Sequence, residues 1–513
     1  MFQSPCLSLK DLLGSDYLHA VVEAQSAFGL LSKEEGFALA EEKVDFFPVS
    51  YQEKNRALLE QVGKPFIPAF PNQQVGAPTN AFGKASHQNA SPVSGFGCYR
   101  AGEDGRLYLI GKSEHYHASL GHAFPGYRLI DNARKLHILN ATHNNTRGYI
   151  TRLLEQELIR CANGLKKEDG QGLQKILQSQ EPKILNRVIN LETGSIACEA
   201  GMKMMLARFY PLDKTYPAPR YAGKIPVFLV MADHTGTSEA NYHGTSVIAQ
   251  TFRNMWREYY QKIEAAGVYK VVPVKINDIQ DFREKMAVYN SGCYKTAGFL
   301  HEIVLMNYGG IRLTKEFLQP AYSLCKETDT PTMVDEIQSC MWYPGMFLFR
   351  LYGLNPDFVI LGKGFPGGEY PASKILTTAE MDTLNQFGAL VTNGQEELAS
   401  LSYLITMRFS QENSRQIAAN GCFFEKGLKD MALRHSEKVN GIEGDGLLAA
   451  VHFSNLEVAA RFAKLLNDAC IDASAQIYKA TCPPAVLLKP PLIADEAVLG
   501  YLIQQMENCL MAL

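Results

Sequence analysis

The sequence contains no run approaching the ~20 consecutive apolar residues that a helix needs to cross a bilayer. The opening segment MFQSPCLSLKDLL also lacks the long apolar core of a signal peptide. There is no excess of charge of one sign, because 50 Lys and Arg face 53 Asp and Glu and leave a net charge of -3. This balance argues against a nucleic-acid partner. We therefore expect a cytoplasmic protein with neither membrane nor nucleic acid as its partner.

The 11 cysteines are scattered singly, without a CxxC pair or a His/Cys spacing typical of metal sites. Such cysteines are typical of reduced thiols that pack as small hydrophobic residues. The sequence predicts neither a disulfide framework nor a metal centre.

At 513 residues the chain exceeds the usual size of a single hydrophobic core, so we expect more than one structural unit. Residues 12–59 have a helical pattern of apolar positions, and residues 64–96 are rich in Pro, Gly, Asn and Ser. We assign residues 1–95 to a helical N-terminal extension followed by an irregular linker.

Further along the chain, apolar segments of strand length alternate with helical patterns, which predicts an α/β fold with a mainly parallel sheet. The strand candidates are KIPVFLVMAD, VYKVVPVKI, TAGFLHEIVLM, PTMVDEIQ and DFVILGKG. One helical stretch carries an apolar stripe that we expect to pack in the core, formed by Ile248, Phe252, Met255, Trp256 and Tyr259.

Two residues at predicted strand ends are informative as a pair. Asp335 follows an apolar strand, and Lys363 stands between glycines just past the next strand candidate. Taken alone, Asp335 is typical of a cap and Lys363 of a surface residue. Together they match pyridoxal phosphate (PLP) chemistry, which needs a lysine for a Schiff base and a carboxylate beside the pyridine nitrogen.

The phosphate of such a cofactor needs backbone N–H groups at the start of a helix. The turn Glu192-Thr193-Gly194-Ser195 leads into a helical pattern and offers such a site, although a Gly-Ser before a helix is also an ordinary cap.

From about Cys98 to the end, the chain resembles the class III aminotransferases. The resemblance rests on DEIQSC, on GLNPDFVILGKG followed by GGEYPAS, and on Tyr242-His243-Gly244. It implies a PLP-dependent transferase of fold type I, with residues 151–400 as the large cofactor-binding domain. Residues 96–150 are then an N-terminal segment contributing to the small domain, and residues 401–513 the C-terminal, α+β part of that domain.

The resemblance also implies roles for single residues. Lys363 and Asp335 become the catalytic residues, and the expected cofactor-binding residues are Gly194, Ser195, Tyr242, His243, Glu302, Asp335, Gln338, Lys363 and Thr392. Tyr242 is expected to stack on the pyridine ring and Gln338 to lie near the phenolic oxygen. Thr392 matches a threonine that reaches the cofactor of the neighbouring subunit, so a homodimer with shared active sites is implied. His115 and Tyr116 fall where the family often has an aromatic substrate contact, although a buried turn explains them equally well.

The sequence departs from the family where many members bind a substrate carboxylate. Leu487 replaces the arginine that precedes Pro490-Pro491, and Asn307 replaces its glutamate partner. A site lined by Leu487 is expected to favour a less charged substrate group, unless Lys489 or an arginine from another loop supplies the charge.

The function implied is transfer of an amino group from a primary amine or amino acid to an oxo compound through a Schiff base (aldimine) of Lys363. Aminomutase, decarboxylase, racemase and phospholyase reactions use the same cofactor residues and remain alternatives. A non-catalytic protein that has kept the fold is a further alternative, against which the retained Lys363 and Asp335 argue.

Overall fold

The computed structural model describes residues 2–70, 74, 76–83, 89–115, 117–141, 145–476 and 481–513. In chain order the strands are β1 (Cys6–Leu7), β2 (Val44–Asp45), β3 (Pro92–Phe96), β4 (Tyr99–Gly102), β5 (Leu107–Ile110), β6 (Leu185–Leu191), β7 (Ile225–Met231), β8 (Lys270–Val274), β9 (Tyr294–His301), β10 (Val304–Leu305), β11 (Ile311–Arg312), β12 (Thr332–Asp335), β13 (Phe358–Leu361), β14 (Ser373–Thr378), β15 (Val439–Asp445), β16 (Leu448–Phe453), β17 (Ile471–Asp472), β18 (Ser474–Ala475) and β19 (Ala485–Leu488).

The α-helices are α1 (Leu9–Leu13), α2 (Ser15–Ala27), α3 (Lys33–Glu41), α4 (Val49–Ala57), α5 (Asn80–Gly83), α6 (Arg128–Lys135), α7 (Tyr149–Ala162), α8 (Gly170–Gln178), α9 (Gly194–Leu206), α10 (Val247–Thr251), α11 (Arg257–Ala265), α12 (Ile279–Val288), α13 (Lys315–Glu327), α14 (Leu348–Leu351), α15 (Gln386–Ala389), α16 (Glu397–Glu412), α17 (Ser414–Arg434), α18 (Leu456–Asp468) and α19 (Glu496–Met511). Within the described ranges, none of these helices is long and apolar enough to span a bilayer.

A seven-stranded sheet forms the centre, in the order β6-β14-β13-β12-β9-β7-β8. The pairs β13/β12, β12/β9, β9/β7 and β7/β8 are parallel, and β14 runs antiparallel to both of its neighbours. All four residues of β13 are fully buried, as is typical of strands covered by helices on both faces. The expected α/β fold with a mainly parallel sheet is confirmed.

The five strand candidates of the sequence are confirmed as β7, β8, β9, β12 and β13. The sequence did not indicate β6 and β14. In β14 the buried residues include one serine, one lysine and two threonines. The sequence therefore lacks the continuous apolar run that is typical of a central strand. The antiparallel direction of this strand was also not predicted.

The stripe expected to pack in the core is interrupted. Asn254 and Trp256 take left-handed conformations with φ of 61° and 54°, and the helix breaks between α10 and α11. Phe252 is buried, but Met255, Trp256 and Tyr259 are 43%, 58% and 50% exposed. The prediction is therefore wrong for these three residues, because the break removes them from the buried face.

Helices α1–α4 confirm the helical pattern predicted for residues 12–59, which the short strand β2 interrupts, and this part of the chain docks on the rest. Tyr51 donates a hydrogen bond to the carbonyl of His122 (2.7 Å), and the Asn55 side chain accepts one from the Cys98 backbone (2.9 Å). The segment expected to be irregular contains α5 and β3, so that expectation is wrong for residues 80–83 and 92–96.

Two four-stranded sheets lie outside the central one, in the orders β15-β16-β19-β18 and β17-β5-β4-β3. The second joins strands from both ends of the chain, since β17 pairs in parallel with β5. A buried bidentate ion pair crosses it, with Arg100 Nε and Nη2 2.7 and 2.8 Å from the Asp472 carboxylate oxygens. This contact fixes the early strands to the C-terminal part.

Candidate active site

The carboxyl ends of β12 and β13 bring Asp335 and Lys363 to the same edge of the central sheet. The strands are parallel neighbours, with Asp335 opposite Ile360. Lys363 lies two residues beyond Leu361, the last residue of β13, and its backbone is left-handed with φ of 48°. A left-handed backbone is uncommon for a residue with a side chain and often marks a functional site.

The two residues share a cavity of about 120 Å³. It is lined by Gly194, Ser195, Tyr242, His243, Gly244, Glu302, Asn307, Asp335, Ile337, Gln338 and Lys363. A larger groove of about 730 Å³ lies at the opposite ends of β12 and β13, where Pro331 and Asp357 line it. Since that groove contains neither Lys363 nor Asp335, the smaller cavity is the candidate active site.

Asp335 is held by three groups and is 5% exposed. Its Oδ1 accepts the backbone N–H of Ile337 at 3.0 Å, and its Oδ2 lies 3.5 Å from Nδ1 of His243 and 3.6 Å from Sγ of Cys198. Burial, with the nearby Asp335 carboxylate, raises the pKa of the Cys198 thiol well above its usual value. The Cys198 thiol therefore donates to the Asp335 carboxylate.

Glu336, next to Asp335, fixes the turn that follows β12. Its buried carboxylate accepts hydrogen bonds from Ser339 Oγ (2.8 Å) and from the backbone N–H groups of Leu348 (3.1 Å) and Phe349 (2.6 Å). Burial raises its pKa to about 7. The turn places Gln338 at the cavity, so Glu336 supports the site without lining it.

The start of α9 lies at the other end of the cavity. The Thr193 side chain accepts from the Ile196 backbone, and α9 begins at Gly194. Ser195 Oγ accepts from the backbone N–H of Thr245 at 3.0 Å. Gly244 has φ of 112°, and a Cβ added there would lie 2.5 Å from Ser195 Cα. This close approach explains the glycine after Tyr242-His243, and the first turn of α9 offers backbone N–H groups of the kind that bind anions.

The structure brings together eight of the nine predicted cofactor-binding residues, and Thr392 is the exception. It is exposed, in the segment between α15 and α16, and does not line the cavity. Leu487 also lies outside the cavity lining, in a buried cluster with Ala450 and Ala485. The side chain of His115 and the whole of Tyr116 fall outside the described residues, so those two predictions stay untested.

Several residues near the cavity were not singled out for this role from the sequence. Cys198 and Glu336 hold Asp335 and its turn, and Lys489 Nζ donates to Gln338 Oε1 at 3.1 Å. Lys112 lies beside Lys489 through a parallel backbone bridge. Cys198 lies one turn into α9 and Lys112 is far from Lys489 in the chain, so no local sequence signal marks these two residues. Glu336 belongs to the DEIQSC motif, and the sequence named Lys489 only as a residue that could supply charge to the substrate site.

The donor set fits PLP. A lysine amine and a buried carboxylate lie at neighbouring strand ends, and a helix N-terminus with a hydroxyl faces the same cavity. The Nε2 atom of His243 is buried and has no hydrogen-bond partner among the described residues, which leaves it able to bind a ligand or a water.

Comparisons with known proteins agree with this geometry. Residues 84–510 match the family described as Aminotransferase class-III. The putrescine aminotransferase of Pectobacterium atrosepticum is 26% identical over 370 residues, which cover 70% of this chain and 71% of that enzyme. An ornithine aminotransferase of Plasmodium chabaudi chabaudi is 32% identical over 190 residues, covering 36% of this chain and 44% of that enzyme. The crystal structure of the ornithine aminotransferase from Toxoplasma gondii ME49 matches with a TM-score of 0.65 at 18% identity, covering 84% and 92% of the two chains, and shows the shared fold.

Proposed function

The chain belongs to the class III aminotransferase family, and we propose that it moves an amino group from a primary amine or amino acid to an oxo compound, using Lys363 and Asp335. It is a PLP-dependent aminotransferase, in line with its putrescine and ornithine aminotransferase relatives. The observation that carries the residue assignment is the meeting of Lys363 and Asp335 at neighbouring strand ends in one cavity.

PLP supplies an electrophilic carbonyl and a ring that accepts electrons from the carbon next to the substrate nitrogen. Lys363 would hold PLP through its carbonyl carbon, and its amine, which lies in the cavity, would move the proton of the substrate carbon next to the nitrogen. Asp335, oriented by the Ile337 backbone and the Cys198 thiol, would hold a proton on the ring nitrogen. The N-terminus of α9 with Ser195 would bind the phosphate.

Tyr242 and Gln338 orient the ring in this proposal. Tyr242 lines the cavity, and the guanidinium of Arg253 lies 5.0 Å from its ring centre. Because Lys489 can only donate to Gln338 Oε1, the amide NH₂ of Gln338 is left to donate to another group, which we assign as the phenolic oxygen.

We further propose a homodimer in which Thr392 reaches the neighbouring subunit's cofactor. Thr392 is exposed, and the nearby Phe387 of α15 and Leu390 are 89% and 45% exposed. Large apolar side chains exposed together are typical of an interface with another chain. The cytoplasmic location expected from the sequence stays a prediction.

The test uses the purified protein with its cofactor. Ornithine or putrescine is added without an acceptor, and the visible absorbance of the cofactor is followed. A donor is expected to convert the cofactor to its amino form in one turnover, and an added oxo acid is expected to restore the original spectrum and to appear as an amino acid.

The matched control is Lys363→Ala, which is expected to retain the fold and to give no turnover. The proposal fails if the protein binds no cofactor, or if no amine in a panel changes its spectrum. Loss of CO₂ or phosphate from the substrate, without amino transfer, would instead support the decarboxylase or phospholyase alternatives.

A further inference from the structure

Helix α4 belongs to the N-terminal extension and lies before residue 84, where the family match begins. The match therefore gives this helix no role. Two of its side chains, Tyr51 and Asn55, are 6% and 2% exposed and form hydrogen bonds with the start of the matched part. Because these polar groups are buried and paired, they hold the two parts of the chain in a fixed arrangement.

Tyr51 binds both residues of a short backbone bridge between Gly97 and His122. These two residues exchange N–H···O bonds of 2.9 Å in both directions. The Tyr51 hydroxyl donates to the carbonyl of His122 (2.7 Å) and accepts the N–H of Gly97 (3.1 Å). His122 ends a turn, residues 118–122, which contains a backbone hydrogen bond of 3.0 Å. Tyr51 therefore fixes the end of this turn.

The same turn holds the residue that follows Lys363. Ser119 is 1% exposed, and its Oγ donates to the Gly364 carbonyl at 2.5 Å. A Cβ added at Gly364 would lie 3.2 Å from Ser119 Cβ and 3.4 Å from His117 O, so the two segments are in close contact. The backbone of Ser119 is itself fixed, because its carbonyl accepts the Leu492 N–H at 2.8 Å.

The backbone of Lys363 depends on such support. Its φ of 48° is a strained conformation for a residue with a side chain, and it persists only where the surroundings hold it. The next carbonyl, that of Gly364, is held by Ser119 Oγ and by the Gly367 N–H (2.9 Å). Since a glycine has no side chain to restrict its backbone, these two bonds fix the chain immediately after Lys363.

We propose that α4 is a positioning element of the active site. Tyr51 fixes the turn of residues 118–122. Ser119, in that turn, holds the backbone that follows Lys363. Neither Tyr51 nor Ser119 lines the cavity, so both act through Lys363 rather than on the substrate. The inference rests on the proposed role of Lys363 and goes beyond it, because it gives the N-terminal extension a part in the active site.

The test follows the visible absorbance of the enzyme with bound PLP as pH varies, for the wild type, Tyr51→Phe and Ser119→Ala. It needs no substrate. The proton affinity of the nitrogen that joins Lys363 to PLP depends on how this linkage is held. Each variant is therefore expected to shift the midpoint by about 0.5 pH unit or more, as one hydrogen bond of ordinary strength would. The double variant is expected to shift it no further than the larger single effect, since both changes break the same series of contacts.

The matched control is Tyr17→Phe. Tyr17 also belongs to the extension, in α2, and its ring stacks on Tyr149 at 4.4 Å. The described hydrogen bonds of the bridge between Gly97 and His122 do not involve Tyr17, so its variant is expected to keep the wild-type midpoint. Tyr51→Phe is expected to fold, because the N–H and the carbonyl that lose the hydroxyl still bond each other.

Ser119→Ala leaves the extension intact and decides the question if Tyr51→Phe does not fold. A wild-type midpoint in either folded variant would overturn the proposal. Shifts that simply add in the double variant, or an equal shift in Tyr17→Phe, would also contradict it, because they would show independent or general loosening. A protein that takes up no PLP contradicts the proposed function instead, so the two failures are distinguishable.

Discussion

Gly244→Ala tests whether the turn after Tyr242-His243 sets the phosphate end of the site. The added Cβ would lie 2.5 Å from Ser195 Cα and 2.7 Å from Ser195 Oγ. Both distances are shorter than real Cβ contacts, and the nearest atom belongs to the backbone of α9, so the helix start has to move. Ser195 Oγ, which accepts the Thr245 N–H, moves with it.

The cost has two parts. A side chain at φ of 112° strains the backbone by about 1–3 kcal/mol. The steric overlap with Ser195 adds about 1–3 kcal/mol, as is usual when an atom is forced into a packed site. We therefore expect a loss of about 2–6 kcal/mol in the free energy of unfolding, with PLP affinity reduced about tenfold through one displaced phosphate contact.

Gly236→Ala is the matched control. Gly236 also has a positive φ, of 82°, but a Cβ there would meet no atom within 4 Å. Gly236→Ala is expected to lose only the stability that backbone strain costs, and its PLP affinity is expected to be unchanged. Urea unfolding gives the stability of each variant, and fluorescence titration of the apoprotein gives its dissociation constant for PLP. The reasoning is refuted if Gly244→Ala binds PLP as tightly as the Gly236→Ala control.

Three further predictions concern the assigned residues. Lys363→Ala is expected to fold but to form no covalent link with PLP, and borohydride reduction of the wild type followed by peptide mass mapping should find the label on Lys363 and on no other lysine. Asp335→Asn is expected to keep bound PLP and to lose about 100-fold or more in kcat, because an amide does not hold the ring proton as a carboxylate does; unchanged turnover would remove Asp335 from this role. The active protein is expected to be a dimer by light scattering, and Thr392→Val is expected to weaken PLP retention; a fully active monomer would contradict both expectations.

The residues that sequence reasoning placed well are those at strand ends. Asp335 and Lys363 each follow a run of buried apolar residues, and parallel strands bring such positions to one edge of the sheet. The same reasoning failed where polar residues are buried, as in β14, whose lysine and threonines lie inside the protein. It also failed near the left-handed residues Asn254 and Trp256. The helix breaks there, although the apolar residues keep a helical spacing in the sequence.

The residues that contact the site residues from outside the cavity are positioned by packing between segments that are distant in the chain. Cys198 meets Asp335 only because α9 packs beside β13 and β14, and Lys489 meets Gln338 only because β19 ends next to the residues that follow β5. A single sequence contains no spacing from which such pairs follow. The apolar core around them is easier to predict than these few polar contacts.

This packing changes the interpretation of Leu487, which stands where many family members have an arginine. The sequence suggested that the charge binding a carboxylate is lost, because Leu487 replaces an arginine. In the structure Leu487 packs on Ala450, and Lys489 continues the extended chain two residues further. Side chains two residues apart on an extended chain point to the same side, so Lys489 projects on the same side as Leu487. Since its amine donates to Gln338 Oε1, a lysine stands beside a cavity-lining residue although the arginine is absent, so the replacement at position 487 does not by itself remove positive charge from this region.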